Sequence, residues 1–317
     1  MTVETRRVGP EAAAEVLAVV RAAFADRPVL DPPADALAET EESIAALLAA
    51  GGGLLAVEDG RPVGALVLDP DDDAVYLRRV SVDPSAQGHG LAHGLVRAAL
   101  SEIARSGARR VRLLAREELP RTIGFWRDLG FVETGRHTPY VEMARPAPVV
   151  VEVPGAEDMH DLGRRVAAYL TAGDVLVLSG ELGAGKTTFA QGLGEGLGVR
   201  GGITSPTFVI ARVHPSLGDG PELVHVDAYR LGGRAELDDL DLDTDLDEAV
   251  TVVEWGTGIA ESLAEARMEV RISRATAQPD VDPDADPRLV ELDGVGARWL
   301  REDLRSLGTR GPESATA

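Results

Sequence analysis

Gly180-Glu181-Leu182-Gly183-Ala184-Gly185-Lys186-Thr187-Thr188 decides how the second half of this chain reads. It follows the apolar run Asp174-Val175-Leu176-Val177-Leu178 and opens a segment to Leu197 with helical apolar spacing. A strand that delivers a glycine-rich loop into a helix aims backbone N–H groups and the positive helix end at one point, where phosphate collects. The stretch is a full match to G-x-x-x-x-G-K-[ST]. Lys186 is also the single lysine of 317 residues, every other basic side chain being arginine. Arginine presents a broad fork and lysine a compact charge on a slender stem, and a phosphate loop needs the second. The pattern predicts ATP phosphates cradled by Glu181, Leu182, Gly183, Ala184, Gly185, Lys186, Thr187 and Thr188, with the Thr187 hydroxyl available to Mg²⁺.

Outward from the loop, a helix is expected at 158–170 and strands at 207–213, 223–228, 250–253 and 268–272. Strands alternating with helices predict an α/β sandwich around a largely parallel sheet, of the P-loop NTPase kind. Mg²⁺ asks for another hard oxygen at a neighbouring strand end, and Asp227 and Glu254 each close such a strand. Together with Lys186 they form the candidate catalytic set. A guanine-reading Asn-Lys-x-Asp pattern needs a second lysine, so ATP is favoured over GTP.

Residues 145–148, Arg-Pro-Ala-Pro, separate a strand-like Tyr140–Ala144 from a fresh β run at Val149, which predicts two domains, 1–147 and 148–308, followed by a disordered tail at 309–317. A mobile loop is expected at 278–287, where acids and prolines carry no apolar period. In the first half, helices are expected at 11–24, 35–50 and 91–105, with a short one through Phe125-Trp126. Strands at 54–57, 63–68, 75–82 and 111–115, and a closing strand pair, predict a mixed α/β sheet with helices on its faces.

Composition sets bounds. The chain has 44% hydrophobic residues, no cysteine and no apolar run long enough to span a bilayer. Disulfides, thiol nucleophiles and thiolate metal sites are excluded; a cytoplasmic location is expected, with no membrane role. The net charge of −21 divides into 17 arginines against 22 acids over 1–147, and 15 basic against 31 acidic residues over 148–317. That field repels nucleic acid, so strong direct binding to tRNA or DNA is not expected. The run Leu237–Leu246 is either a solvated acidic helix face or a docking surface for a basic partner.

Four motifs in order, 180–188, Ser205-Pro206-Thr207-Phe208, His225-Val-Asp-Ala-Tyr-Arg-Leu231 and Val253-Glu254-Trp255-Gly256, make the second half resemble the TsaE (YjeE) family of bacterial threonylcarbamoyladenosine synthesis. The resemblance implies an ATPase that regulates a complex with TsaD and TsaB, which modifies adenosine 37 of tRNA. It also implies Lys186 on phosphates, Thr187 and Glu254 on Mg²⁺, Asp227 near the attacking water or the metal, and Thr207 in a nucleotide-sensing loop. Ala228 replaces the usual leucine beside Asp227. The alternative from another class is a small-molecule kinase, with Asp227 activating an acceptor hydroxyl, joined to a non-catalytic first half.

The first half carries Gln87-Gly88-His89-Gly90-Leu91-Ala92 between strand and helix, then Phe125-Trp126-Arg127-Asp128-Leu129-Gly130-Phe131. With the order of its elements, it resembles the GNAT acetyltransferases. That implies acetyl-CoA held by the backbone of Val80 and Val82 and by Gln87, Gly88, His89, Gly90, Leu91 and Ala92. Trp126 stands where many members have a proton-donating tyrosine, and an indole cannot act as an acid. Tyr140, His137 and Glu117 are the candidate replacements, and sequence does not choose among them. His89 and His93, spaced i, i+4, lack the glutamate and cysteines of a zinc site, so no metal is expected there.

Overall fold

The computed structural model describes residues 3–206, 210–230, 247–260, 263–274 and 287–308. Thr207, the acidic run 237–246, most of the 278–287 segment and the 309–317 tail lie outside the described residues. The chain forms two compact units, Met1–Ala147 and Pro148–Ala317. None of the described helices is long and apolar enough to cross a membrane.

In the first unit, β1 (Val3–Val8), α1 (Ala13–Ala25), α2 (Glu41–Gly51), β2 (Gly53–Glu58), β3 (Arg61–Asp71) and β4 (Ala74–Val82) come first. α3 (Leu91–Ile103), β5 (Arg110–Arg116), α4 (Pro120–Asp128), β6 (Val132–His137) and β7 (Tyr140–Pro146) complete it. The helix expected from Asp35 starts six residues later. A 3₁₀ turn occupies Asp35–Ala38, and Thr40 then begins α2 with a reciprocal capping box to Ser43.

The sheet order is β1-β2-β3-β4-β5-β7-β6. Alternation along its strands gives each face its own core. Leu54, Leu66 and Leu68 pack with Leu95, Ala99 and Ile103 of α3, whereas Leu55, Ala65 and Val67 pack with Val16, Val20 and Ile44 of α1 and α2. β4 and β5 are parallel but pair only from Ala74↔Arg110 to Tyr76↔Arg112. Beyond that they part, while β4 stays on β3 to Val82 and β5 stays on β7 to Arg116. One edge each of 77–82 and 113–116 is therefore left without a strand partner.

The second unit contains β8 (Val149–Val153), α5 (Ala156–Ala167), β9 (Val175–Gly180), α6 (Lys186–Leu197), β10 (Ala211–His214), β11 (Glu222–Asp227), β12 (Ala249–Glu254), β13 (Arg267–Arg274) and β14 (Arg288–Val295). Their sheet order is β10-β11-β12-β9-β13-β14-β8. β11, β12, β9 and β13 run parallel, but β10, β14 and β8 are antiparallel to their neighbours. The parallel character expected from sequence thus belongs to the four central strands, those that place the site. α5 and α6 cross closely: a Cβ on Gly192 would fall 1.8 Å from the His160 carbonyl oxygen. Trp299, on a 3₁₀ turn after β14, is fully buried in this core, a contribution the sequence reading did not assign.

Candidate nucleotide site and acyl-transfer cavity

Three central strands end side by side. The registers Asp227↔Glu254 and Glu254↔Leu178 put both acids next to the strand that leads into the glycine loop. Gly180 leaves β9 with φ 151°, and a side chain there would sit 2.5 Å from the Ile272 carbonyl oxygen, so only glycine makes this exit. The loop turns directly into α6, whose first-turn amides have no intrahelical acceptor and face the loop with the positive end of the helix.

Lys186 is 5% exposed, and its ammonium donates to the carbonyls of Gly180 (2.9 Å) and Glu181 (3.0 Å). Its Nζ also lies 3.7 Å from the Trp255 ring centroid, a cation–π contact. Burial lowers the pKa of this amine, and Glu254 and Asp227 oppose the shift. Thr187 Oγ1 donates to Glu254 Oε1 at 3.0 Å. Asp227, buried, accepts from Ser205 Oγ (2.9 Å) and from the Tyr229 amide (3.0 Å). Lys186, Thr187, Asp227 and Glu254 therefore converge, with Ser205 beside them.

Two further side chains belong to this cluster and were given no role on sequence. His225 is fully buried and its Nε2 donates to Glu254 Oε1 at 3.0 Å, while Nδ1 has no partner among the described residues. Trp255 follows Glu254 with φ 61°, unusual for a bulky residue, and this turn carries its indole over Lys186 and to within 5.2 Å of the Tyr229 ring. The signal for His225 was its spacing from Asp227, two residues along one strand face.

A hydroxyl and a carboxylate at adjacent element ends are hard oxygen donors of the kind Mg²⁺ takes. The described residues hold no group of three or more His, Asp or Glu set for a metal. Mg²⁺ commonly relies on one or two carboxylates plus phosphate oxygens, so Thr187 and Glu254 fit it.

In the first unit a cavity of about 860 Å³ opens where β4 and β5 part. Val80, Val82, Gln87, Gly88, Gly90, Leu91 and Ala92 line it, and His89 does not. The turn before α3 is stiffened by Asp83, which accepts from the Ser85 hydroxyl (2.6 Å) and amide (2.9 Å); these bonds hold its carboxyl below the usual range. Trp126 is buried edge-on between Phe125 and Phe131 as part of the wall. Of the three candidate replacements, Tyr140 alone lines the cavity, its hydroxyl donating to Asp35 at 3.2 Å. His137 is 73% exposed on β6 and Glu117 pairs with Arg136, both away from the lining. His93 is exposed on α3, its ring 4.8 Å from Phe125.

Comparison with known proteins separates the same two regions. The family model for threonylcarbamoyl adenosine biosynthesis protein TsaE matches residues 153–281, and the GNAT acetyltransferase model matches 18–131. TsaE of Streptomyces coelicolor is 61% identical over 150 residues, spanning 47% of this chain and 99% of that protein. TsaE of Mycobacterium tuberculosis is 55% identical over 119 residues, 35% of this chain and 71% of its own. Among solved structures, Bacillus subtilis YdiB matches at 34% identity over 50% of this chain and 95% of its own, with a TM-score of 0.38. PaiA N-acetyltransferase from Thermoplasma acidophilum, solved with coenzyme A, matches at 16% identity over 46% of this chain and 99% of its own, with a TM-score of 0.42. The phosphate loop, its strand-end acids and the Streptomyces and Mycobacterium relatives agree: residues 18–131 match the GNAT acetyltransferase family model, and the chain belongs to the TsaE family of threonylcarbamoyladenosine biosynthesis.

Proposed function

We propose that the second unit is an Mg²⁺-dependent ATPase, acting with TsaD and TsaB in forming threonylcarbamoyladenosine at adenosine 37 of tRNA. The observation that carries this reading is the convergence of Lys186, Thr187, Asp227 and Glu254 at the ends of α6, β11 and β12. Glu181 to Thr188 cradle the phosphates, which take over from the Gly180 and Glu181 carbonyls as acceptors for the Lys186 ammonium. Thr187 and Glu254 would hold Mg²⁺, which would supply charge that offsets the phosphate oxygens. Asp227 orients a water whose oxygen bonds to the γ-phosphorus as the bond to the bridging oxygen breaks, giving ADP and phosphate. Thr207 senses the nucleotide state. The protein works in the cytoplasm and meets tRNA only through its partners, as the acidity of 148–317 suits.

Removing the ammonium tests this reading. Lys186→Ala should release phosphate from ATP at least 100-fold more slowly in the presence of TsaD and TsaB. It should also fail to restore the modified nucleoside, measured by mass spectrometry, in cells depleted of their own TsaE. Normal modification by the variant refutes the claim. Phosphate release that depends on an added hydroxyl acceptor would instead favour the kinase reading.

The first unit is proposed to transfer acetyl from acetyl-CoA to an amine. The open edges of 77–82 and 113–116 offer backbone partners to the pantetheine arm, and the amides at the start of α3 receive the pyrophosphate. Tyr140 stands in for the missing tyrosine as donor of a proton to the leaving thiolate.

A further inference from the structure

Five arginines line the first unit's cavity, and four are accounted for. Arg78 is ion-paired to Asp69, Arg79 to Glu39 at 2.6 Å, and Arg116 to Glu118 at 2.7 Å; Arg121 is exposed to water. Arg27 differs. It follows the end of α1, half-buried, with its guanidinium carbon 3.7 Å from the Phe24 ring centroid, and none of the described residues supplies it a carboxylate. Burial alone lowers its pKa, with no opposing acid. Asp26 beside it is exposed, and Asp35 accepts from the Tyr140 hydroxyl.

A guanidinium held partly out of water without a counter-charge is costly unless an anion completes it, and its fork suits a planar carboxylate. The Phe24 ring fixes the plane of the fork, which reduces the ordering needed on binding. The cofactor's phosphates already have donors in the amides at the start of α3, whereas Arg27 belongs to the other wall, with Phe24, Ala34 and Ala36.

Resting on the acetyltransferase reading above, we propose that the acetyl acceptor is a small amine carrying a carboxylate, such as a free amino acid, and that Arg27 binds that carboxylate. The acceptor's neutral amine attacks the thioester carbonyl, the carbon–sulfur bond breaks, and the proton lost from nitrogen balances the one gained by the thiolate. The products are an N-acetylated acid and coenzyme A.

The test uses the full chain with acetyl-CoA and pairs of amines that differ only in the carboxylate: phenylalanine against phenethylamine, glutamine against γ-aminobutyramide. Binding of the corresponding N-acetyl amino acids and their methyl esters to the coenzyme A complex is measured by calorimetry in parallel. Carboxylate-bearing partners should react or bind at least tenfold better. Arg27→Gln should raise their KM or Kd 10- to 100-fold with the acetyl-CoA Kd unchanged, and Arg27→Lys should recover part of the loss. Equal use of both members of each pair, acetylation of protein amines alone, or absence of carboxylate-dependent turnover and binding overturns the inference. So does an Arg27→Gln effect on acetyl-CoA that disappears with the 3′-dephospho cofactor, since Arg27 would then serve the cofactor. Failure of the unaltered chain to bind acetyl-CoA refutes the acetyltransferase reading itself.

Discussion

At the residue scale, the second unit's site depends on one carboxylate being held in place. Glu254 Oε1 accepts from both Thr187 and His225, and the His225 ring makes no other hydrogen bond among the described residues. Partners that orient a metal ligand are typically worth ten- to a hundred-fold in metal affinity. His225→Ala should therefore raise the Mg²⁺ concentration needed for half-maximal nucleotide binding by about 10- to 100-fold. His225→Asn, which keeps a donor, should recover part of it; an unchanged Mg²⁺ titration by the alanine variant would rule out this role. The convergence of Lys186, Thr187, Asp227 and Glu254 was legible because the loop pattern and the two strand-end acids are local features of the sequence. His225 and Trp255 were not, because one works by facing a neighbouring strand and the other by a backbone turn. The spacing of His225 from Asp227 puts both on one strand face, but which strand that face meets, like the turn at Trp255, is absent from a linear string.

At the scale of elements, α5 and α6 approach so closely that glycine is required where they cross. Gly192→Ala would drive a methyl group into the His160 carbonyl, and such overpacking costs about 1–3 kcal/mol. A melting midpoint lower by roughly 2–10 °C in calorimetry is expected for a unit of this size. A midpoint within 1 °C of the parent would mean the helices slide apart at little cost. Periodicity located α5 and α6 to within a few residues, but nothing in it revealed the distance between them. The start of α2 was misplaced for a related reason: the apolar spacing runs on through Asp35–Ala38, and only the Thr40–Ser43 box decides where the helix begins. β10, β14 and β8 turn the flanks of the sheet antiparallel, and strand direction is set by connections that apolar pattern does not encode.

At the scale of the whole molecule, Pro146, the last residue of β7, and Pro148 flank the junction between units that each carry their own core. The second unit also carries a pH liability. His214, buried at the end of β10, has its pKa lowered chiefly by desolvation, with His225 and Arg212 pushing the same way and a backbone hydrogen bond at Arg200 opposing. As pH falls below the ordinary histidine value of about 6.5, the unfolded chain takes up a proton that the folded unit resists. Stability from this group is thus present above that value and lost below it. Urea unfolding at pH 7.5 and 5.5 should show a smaller loss for His214→Gln than for the parent; equal losses would remove His214 as the cause.

The burial of Lys186 under Trp255 has one more consequence. A protease that cuts only after lysine has a single target in all 317 residues, and the folded chain hides it at the mouth of the phosphate loop. Cleavage would yield two fragments, 1–186 and 187–317, and its rate would report how often the loop opens. Nucleotide occupancy could then be followed as protection of one peptide bond, with no label on either the protein or the ATP.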